Sequence, residues 1–225
     1  MIAISRKSVV YLVVMEILKA IVSFILHIDT HLGEIIVKFG PWSYGVLFLI
    51  IFAETGFVFT PFLPGDSLLF AAGAFAALGS FSIMPLLMIL WLAAFLGDTA
   101  NYWIGHFFGE KILANPRIPI NQEHIDKTQK FYDKYGGKTI ILARFVPIVR
   151  TFAPFVAGVG KMNYGNFVTY NAIGGALWVM LFTLAGYFFG NIAAVKHNFS
   201  VVILVIIGLS VLPVVWEVIR NKVKK

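Results

Sequence analysis

Long apolar tracts, each interrupted at a few polar positions, organise the chain. Residues 9–28 are apolar except at Glu16, Lys19, Ser23 and His27, whose spacing sets one polar stripe on a helix. Such a helix either crosses a membrane with its stripe inward or lies in the interface, and both readings stay open. Arg6 and Lys7 precede it, but no small-residue cleavage site follows, so it is read as a retained helix and not a signal peptide. Residues 42–78 are almost wholly apolar but are cut by Glu54, Pro61, Pro64, Gly65 and Asp66. Two prolines so close together cannot continue a regular helix, which predicts two pieces joined by a break. Residues 84–108 form a longer clean tract. In the polar stretch 110–138, Asn121 is placed to cap an amphipathic helix that runs through Tyr135 and stops at Gly136 and Gly137. Residues 139–160 are apolar again, with Arg144 and Arg150 inside and breaks expected at Pro147 and Pro154. Two last apolar tracts, 167–189 and 199–218, lead to a basic tail.

Composition decides which solvent these tracts face. Of 225 residues, 59% are hydrophobic and 13% charged, against about 25% charged in a soluble domain. A soluble fold of this size cannot cover so much apolar surface with so little polar surface. The pattern therefore predicts an all-α polytopic membrane protein. Cysteine is absent, which removes disulfides, thiolate nucleophiles and Cys-ligated metals.

The net charge of +7 serves topology and not nucleic-acid binding, because the basic residues collect at the ends and in one loop. Arg6 and Lys7 open the chain, Lys111, Arg117, Lys127, Lys130, Lys134 and Lys138 fill the central loop, and Arg220, Lys222, Lys224 and Lys225 close it. All three regions are expected to be cytoplasmic. This closes with four crossing helices (9–28, 84–108, 167–189 and 199–218) and two re-entrant hairpins, one in each broken tract. Gly105-His-Phe-Phe-Gly109 returns as Gly186-Tyr-Phe-Phe-Gly190, and Ala72-Gly73 as Ala157-Gly158. The order of parts is the same in both halves, which predicts an inverted repeat. The chain then reads as one membrane domain: an N-terminal helix and connection (1–40), a first repeat (41–109), a cytoplasmic loop (110–138), a second repeat (139–190), and a last helix with basic tail (191–225).

Four ionisable residues fall inside the broken tracts: Glu54, Asp66, Arg144 and Arg150. Each lone charge at mid-membrane costs roughly 2.5–3.5 kcal/mol on insertion scales, so these residues are expected to meet one another. On an unbroken helix Arg144 and Arg150 would lie about 240° apart, and the break at Pro147 lets them converge. Arginine forks and half-helix N-termini favour anions, which points to a phosphate-bearing ligand held by Arg144 and Arg150. Glu54 and Asp66 are then the counter-charge. A carboxylate balanced between an apolar tract and an arginine can exchange a proton as a charged ligand arrives or leaves. Plainer readings make Asp66 only the N-cap of the returning half-helix, and the arginines interfacial anchors.

Asp98, Asn101 and Asn171 are placed to line the cavity or to bond helix to helix. The glycine pair Gly174-Gly175 is read as permitting close packing. The histidines His27, His31, His106, His124 and His197 show no ligand spacing, so neither a metal nor another cofactor is expected. No Walker-type, Gly-x-Ser-x-Gly or His-Glu-x-x-His motif occurs, and the reading is a transporter and not an enzyme. Its partners on this reading are a phosphate-bearing anion, protons and membrane lipids. Rival readings are a proton-coupled exporter of cations or drugs, in which the carboxylates bind substrate, and a membrane scaffold that transports nothing.

Phe52-Ala-Glu54-Thr-Gly56, Pro61-Phe-Leu-Pro-Gly-Asp66-Ser-Leu-Leu69, Gly97-Asp98 through Tyr102 and Gly105, Ala143-Arg144-Phe-Val-Pro147-Ile-Val-Arg150-Thr151 and Ala157-Gly158 through Met162 resemble the bacterial DedA family over nearly the whole chain. The resemblance implies an inner-membrane protein of the SNARE-associated, VTT-domain superfamily with two opposed re-entrant hairpins. It also makes the phosphate-bearing anion an anionic lipid phosphate, and implies a part in returning undecaprenyl phosphate across the cytoplasmic membrane and in envelope integrity linked to the proton motive force. Glu54, Asp66, Arg144 and Arg150 match the acidic and basic positions that the family requires.

Overall fold

The computed structural model describes residues 28–56, 65–113, 122–146 and 149–192. The expected helices at 9–28 and 199–218, the cap Asn121 and the prolines Pro61, Pro64 and Pro147 lie outside these residues, apart from Ile28. Within them the chain is helical: α1 Ile28–Phe39, α2 Ser43–Gly56, α3 Gly65–Ala77, α4 Ile83–Leu113, α5 Gln122–Tyr135, α6 Thr139–Ala143, α7 Val149–Val159 and α8 Tyr164–Gly190. Helix α1 falls in a stretch read only as a connection. The second expected break shows as a turn over residues 144–146 after α6, and the first falls in residues 57–64, outside the described residues. Pro154, expected to break the second tract, lies inside α7. A proline there removes the donor for the carbonyl four residues back, that of Arg150, and its ring crowds that carbonyl. Neighbouring carbonyls of the same helix are taken by side chains: Thr151 by Asn101 at 3.0 Å and Ala153 by the Tyr132 hydroxyl at 2.9 Å.

Helices α4 and α8 are long and apolar enough to cross a membrane over Ile83–Gly109 and Tyr164–Gly190. At 1.5 Å per residue, each such 27-residue stretch reaches about 40 Å, beyond the ~30 Å of a hydrocarbon core. The polarity of this pair is inverted relative to a soluble fold. Met84, Met88, Leu92 and Leu96 form an exposed apolar stripe along α4, and Ile173, Leu177, Met180, Leu181 and Phe188 face outward on α8. Asp98, Asn101, Asn171 and Thr183 are buried on the opposite faces. Apolar side chains facing outward, with ionisable and polar side chains buried between the helices, are the arrangement of a membrane protein.

The short helices exchange partners between halves. Helix α3 packs along α8 and α7 packs along α4, while α2 stays on α4 and α6 on α8. Glycines set both exchanged contacts. A Cβ at Gly73 would run into the Thr183 carbonyl, one at Gly186 into the Phe70 carbonyl, and one at Gly190 would lie 2.9 Å from the Ala74 Cα. In the other pair, a Cβ at Gly158 would run into the Tyr102 carbonyl, one at Gly105 into the Phe155 carbonyl, and one at Gly109 into Val159. Phe70, Gly73 and Ala74 are related to Phe155, Gly158 and Val159 by one constant shift in sequence. Tyr102, Gly105 and Gly109 are related to Thr183, Gly186 and Gly190 by another. The recurring glycines are thus the two copies of one helix contact, made reciprocally, as a two-fold relation between the halves requires.

The apolar core divides accordingly. One larger cluster centres on Leu47, Ile51, Leu69, Leu86, Leu90 and Trp178, the other on Tyr102, Ile140, Ala143, Ala153 and Phe167, and a smaller third holds Phe152, Phe155 and Val156. Amphipathic helix α5, which spans the expected residues up to Tyr135 and ends at Gly136 with φ +55°, rests on α7. Burial pushes the Tyr132 phenol well above its usual pKa, with the Asp98 charge adding to the effect, so its hydroxyl stays a hydrogen-bond donor.

Candidate functional site

Six chain segments converge between the two larger apolar clusters: the end of α2, the start of α3, the middle of α4, the turn after α6, the start of α7 and the middle of α8. Glu54 occupies the last turn of α2 and is 4% exposed. Its Oε1 accepts a hydrogen bond from the Gly65 amide at 3.1 Å. A side chain at Gly65 would collide with this carboxylate, so the glycine allows Glu54 to serve the first turn of α3 from across the break. The cap role expected of Asp66 therefore belongs to Glu54. Asp66 lies one residue inside α3, and its Oδ1 accepts from Arg150 Nη1 at 2.7 Å and from Trp178 Nε1 at 2.8 Å.

Arg150, at the start of α7, uses its two terminal nitrogens on two different carboxylates, Nη1 on Asp66 and Nη2 on Glu54. This brings the first and second broken tracts together, as their charge pattern anticipates. Arg144 goes elsewhere. It ends α6, and its Nη2 pairs with Asp98 Oδ2 and donates to Asn171 Oδ1 at 2.5 Å. The expected balance of two acids and two bases is corrected to three carboxylates and two guanidiniums, because Asp98, on an unbroken helix, belongs to the cluster.

Polar residues of the long helices hold the parts in register. Asn171 Nδ2 donates to the Phe95 carbonyl at 3.0 Å and to Thr99 Oγ1 at 3.3 Å, joining α8 to α4. Asn101 Nδ2 donates to the Thr55 carbonyl at 3.2 Å and to the Thr151 carbonyl at 3.0 Å, joining the end of α2 to the start of α7. Gly174 and Gly175, read as packing residues, seat Arg144. A Cβ at Gly174 would lie 3.2 Å from its Nε, and one at Gly175 3.5 Å from its Nη2.

Glu54, Thr55, Asp98, Arg144, Arg150, Thr151 and Trp178 enclose a cavity of about 20 Å³, room for about one water. Glu54 Oε2, Asn101 Oδ1 and Arg144 Nε are buried without a hydrogen-bond partner. Access to the cluster is from the Asp66 side, where the Asp66 and Arg150 side chains are 33% and 20% exposed, against 6% for Arg144. Trp178 escaped the sequence reading, since a tryptophan in an apolar helix carries no signal separating it from core.

The fold and this buried network of opposite charges define a polytopic helical membrane protein with an ionisable site at its helix breaks. The chain matches the VTT domain over residues 63–188. It is 55% identical over 211 residues to Protein DedA of Escherichia coli (strain K12), covering 92% of this chain and 96% of that relative. It is 41% identical over 179 residues to an uncharacterized membrane protein of Mycobacterium tuberculosis (strain ATCC 25618 / H37Rv), covering 78% of each. It is also 33% identical over 149 residues to Inner membrane protein YqjA of Escherichia coli (strain K12), covering 66% of this chain and 68% of that relative. No solved structure matches the chain. The protein belongs to the DedA family of VTT-domain membrane proteins.

Proposed function

We propose that the protein translocates a polyprenyl phosphate lipid carrier, undecaprenyl phosphate, across the bacterial cytoplasmic membrane in a process linked to protons, and that it is a transporter and not an enzyme. The observation that carries this reading is Arg150. Its end-on fork is filled by Asp66 and Glu54 from two helices, in the geometry that one phosphate group would take from it. The starts of α3 and α7 lie beside that fork, and helix N-termini favour anions. A cavity of about 20 Å³ is too small for a phosphate, so binding requires the carboxylates to leave Arg150, and a carboxylate stripped of its cation in an apolar site takes up a proton. At 13 and 11 residues, α3 and α7 are too short to cross a hydrocarbon core. This supports re-entrant hairpins in opposed repeats, and the basic residues of the central loop and both ends favour the cytoplasmic side for all three.

The test is purified protein in liposomes, with the leaflet distribution of undecaprenyl phosphate followed with and without a pH gradient. Accelerated flipping that responds to the gradient is expected, and a rate equal to that of empty liposomes defeats the claim. The excess of three carboxylates over two arginines favours a second reading, proton-coupled cation export. Arg150→Lys separates the two, because it keeps the charge and loses the fork. Translocation of the lipid should fall at least tenfold, whereas a cation exporter needing only a nearby positive charge keeps its activity.

A further inference from the structure

Trp178 is the largest fully buried side chain among the described residues and a member of the first apolar cluster, yet charged groups lie against it. It donates Nε1 to Asp66 Oδ1 at 2.8 Å. Its ring lies 5.5 Å from the Arg150 Cζ and 5.9 Å from the Arg144 Cζ, both within the range of a cation–π interaction. The two arginines belong to separate hydrogen-bond networks, Arg150 with Glu54 and Asp66 on one side, Arg144 with Asp98 and Asn171 on the other. Trp178 touches both networks, and it lines the cavity between them. Two guanidiniums repel each other in a medium of low dielectric, and an aromatic face beside both offsets part of that repulsion without occupying either fork.

We propose that Trp178 is the positioning residue that makes Arg144 and Arg150 a pair, so that one phosphate monoester meets both cations once the carboxylates withdraw. This rests on the phosphate reading above and adds to it the group that lets two separately paired arginines act on one anion. The ring is the working part, and the N–H steadies Asp66 while Arg150 changes partner.

The measurement uses the full chain in detergent micelles, with inorganic phosphate and a short prenyl monophosphate as probes, and follows equilibrium binding together with tryptophan emission. Trp178→Leu should weaken prenyl monophosphate binding about tenfold. Trp178→Phe, which keeps an aromatic face, should stay within about threefold of wild type. Inorganic phosphate should show the same ratios, since the ring acts on the headgroup alone; ratios confined to the prenyl ligand would place Trp178 on the lipid tail and overturn the proposal. The emission difference between wild type and Trp178→Phe should change when ligand saturates. Wild-type affinity in Trp178→Leu, or equal losses in Leu and Phe variants, overturns the role of Trp178 alone. If the Leu variant does not fold, a ligand-insensitive emission difference overturns it instead. Absence of binding by wild type overturns the phosphate reading and this proposal together.

Discussion

Asp98 sits on an unbroken helix, and its carboxylate neutralises the more deeply buried of the two arginines. Removing one member of a buried ion pair leaves the other uncompensated, at about 3–5 kcal/mol. Asp98→Asn should therefore lower the thermal unfolding midpoint in detergent clearly. Asp66→Asn should lower it less, because Asp66 is 33% exposed and Arg150 keeps Glu54. Equal losses would contradict this ranking. Charges in apolar tracts are legible because lipid makes them costly, which is why Glu54, Asp66, Arg144 and Arg150 stand out from sequence. Their partners are less legible. Assigning Arg144 to Asp98 and Asn171 needs the approach of three helices, and nothing in local spacing distinguishes Glu54 from Asp66 as the acceptor for the Gly65 amide.

At the scale of elements, the apolar tracts and their breaks follow from hydropathy and proline, and α4, α5 and α8 begin and end close to where the pattern puts them. Pro154 misleads because a proline weakens a helix without always ending it, and here the packing of α7 on α4 carries the helix through it. The glycine echo is visible in sequence, but its exchange of partners is not, since either pairing of halves repeats the same residues. The reciprocal contact makes a matched prediction. Gly105→Ala and Gly186→Ala each drive a Cβ into a backbone carbonyl, so both should destabilise, by roughly 1–3 kcal/mol each. Gly45→Ala meets nothing within 4 Å and should leave the melting temperature at or above wild type. Thermal melts of the three variants check this, and a neutral Gly186→Ala would remove the close approach of α3 to α8.

For the whole molecule, the proposed translocation needs each short helix to slide on its long partner, α3 on α8 and α7 on α4. The absence of cysteine gives a clean background for locking one of them. A Cβ at Gly109 would lie 3.4 Å from the Val159 Cβ, close to the separation a disulfide spans. Gly109→Cys with Val159→Cys should stop lipid flipping when oxidised and regain it on reduction; flipping that continues in the fully cross-linked protein would show that this interface stays fixed. The same exchange bears on how the chain is made. Gly73 finds its place only against Thr183 and Tyr187, which emerge from the ribosome roughly a hundred residues later, on the order of 5–20 s at ordinary rates of synthesis. For about the first two thirds of that interval Arg150 is still to be translated, and Glu54 and Asp66 wait for it in the nascent protein. The first half is thus an obligate intermediate, stabilised by its successor and prone to degradation if synthesis stops early.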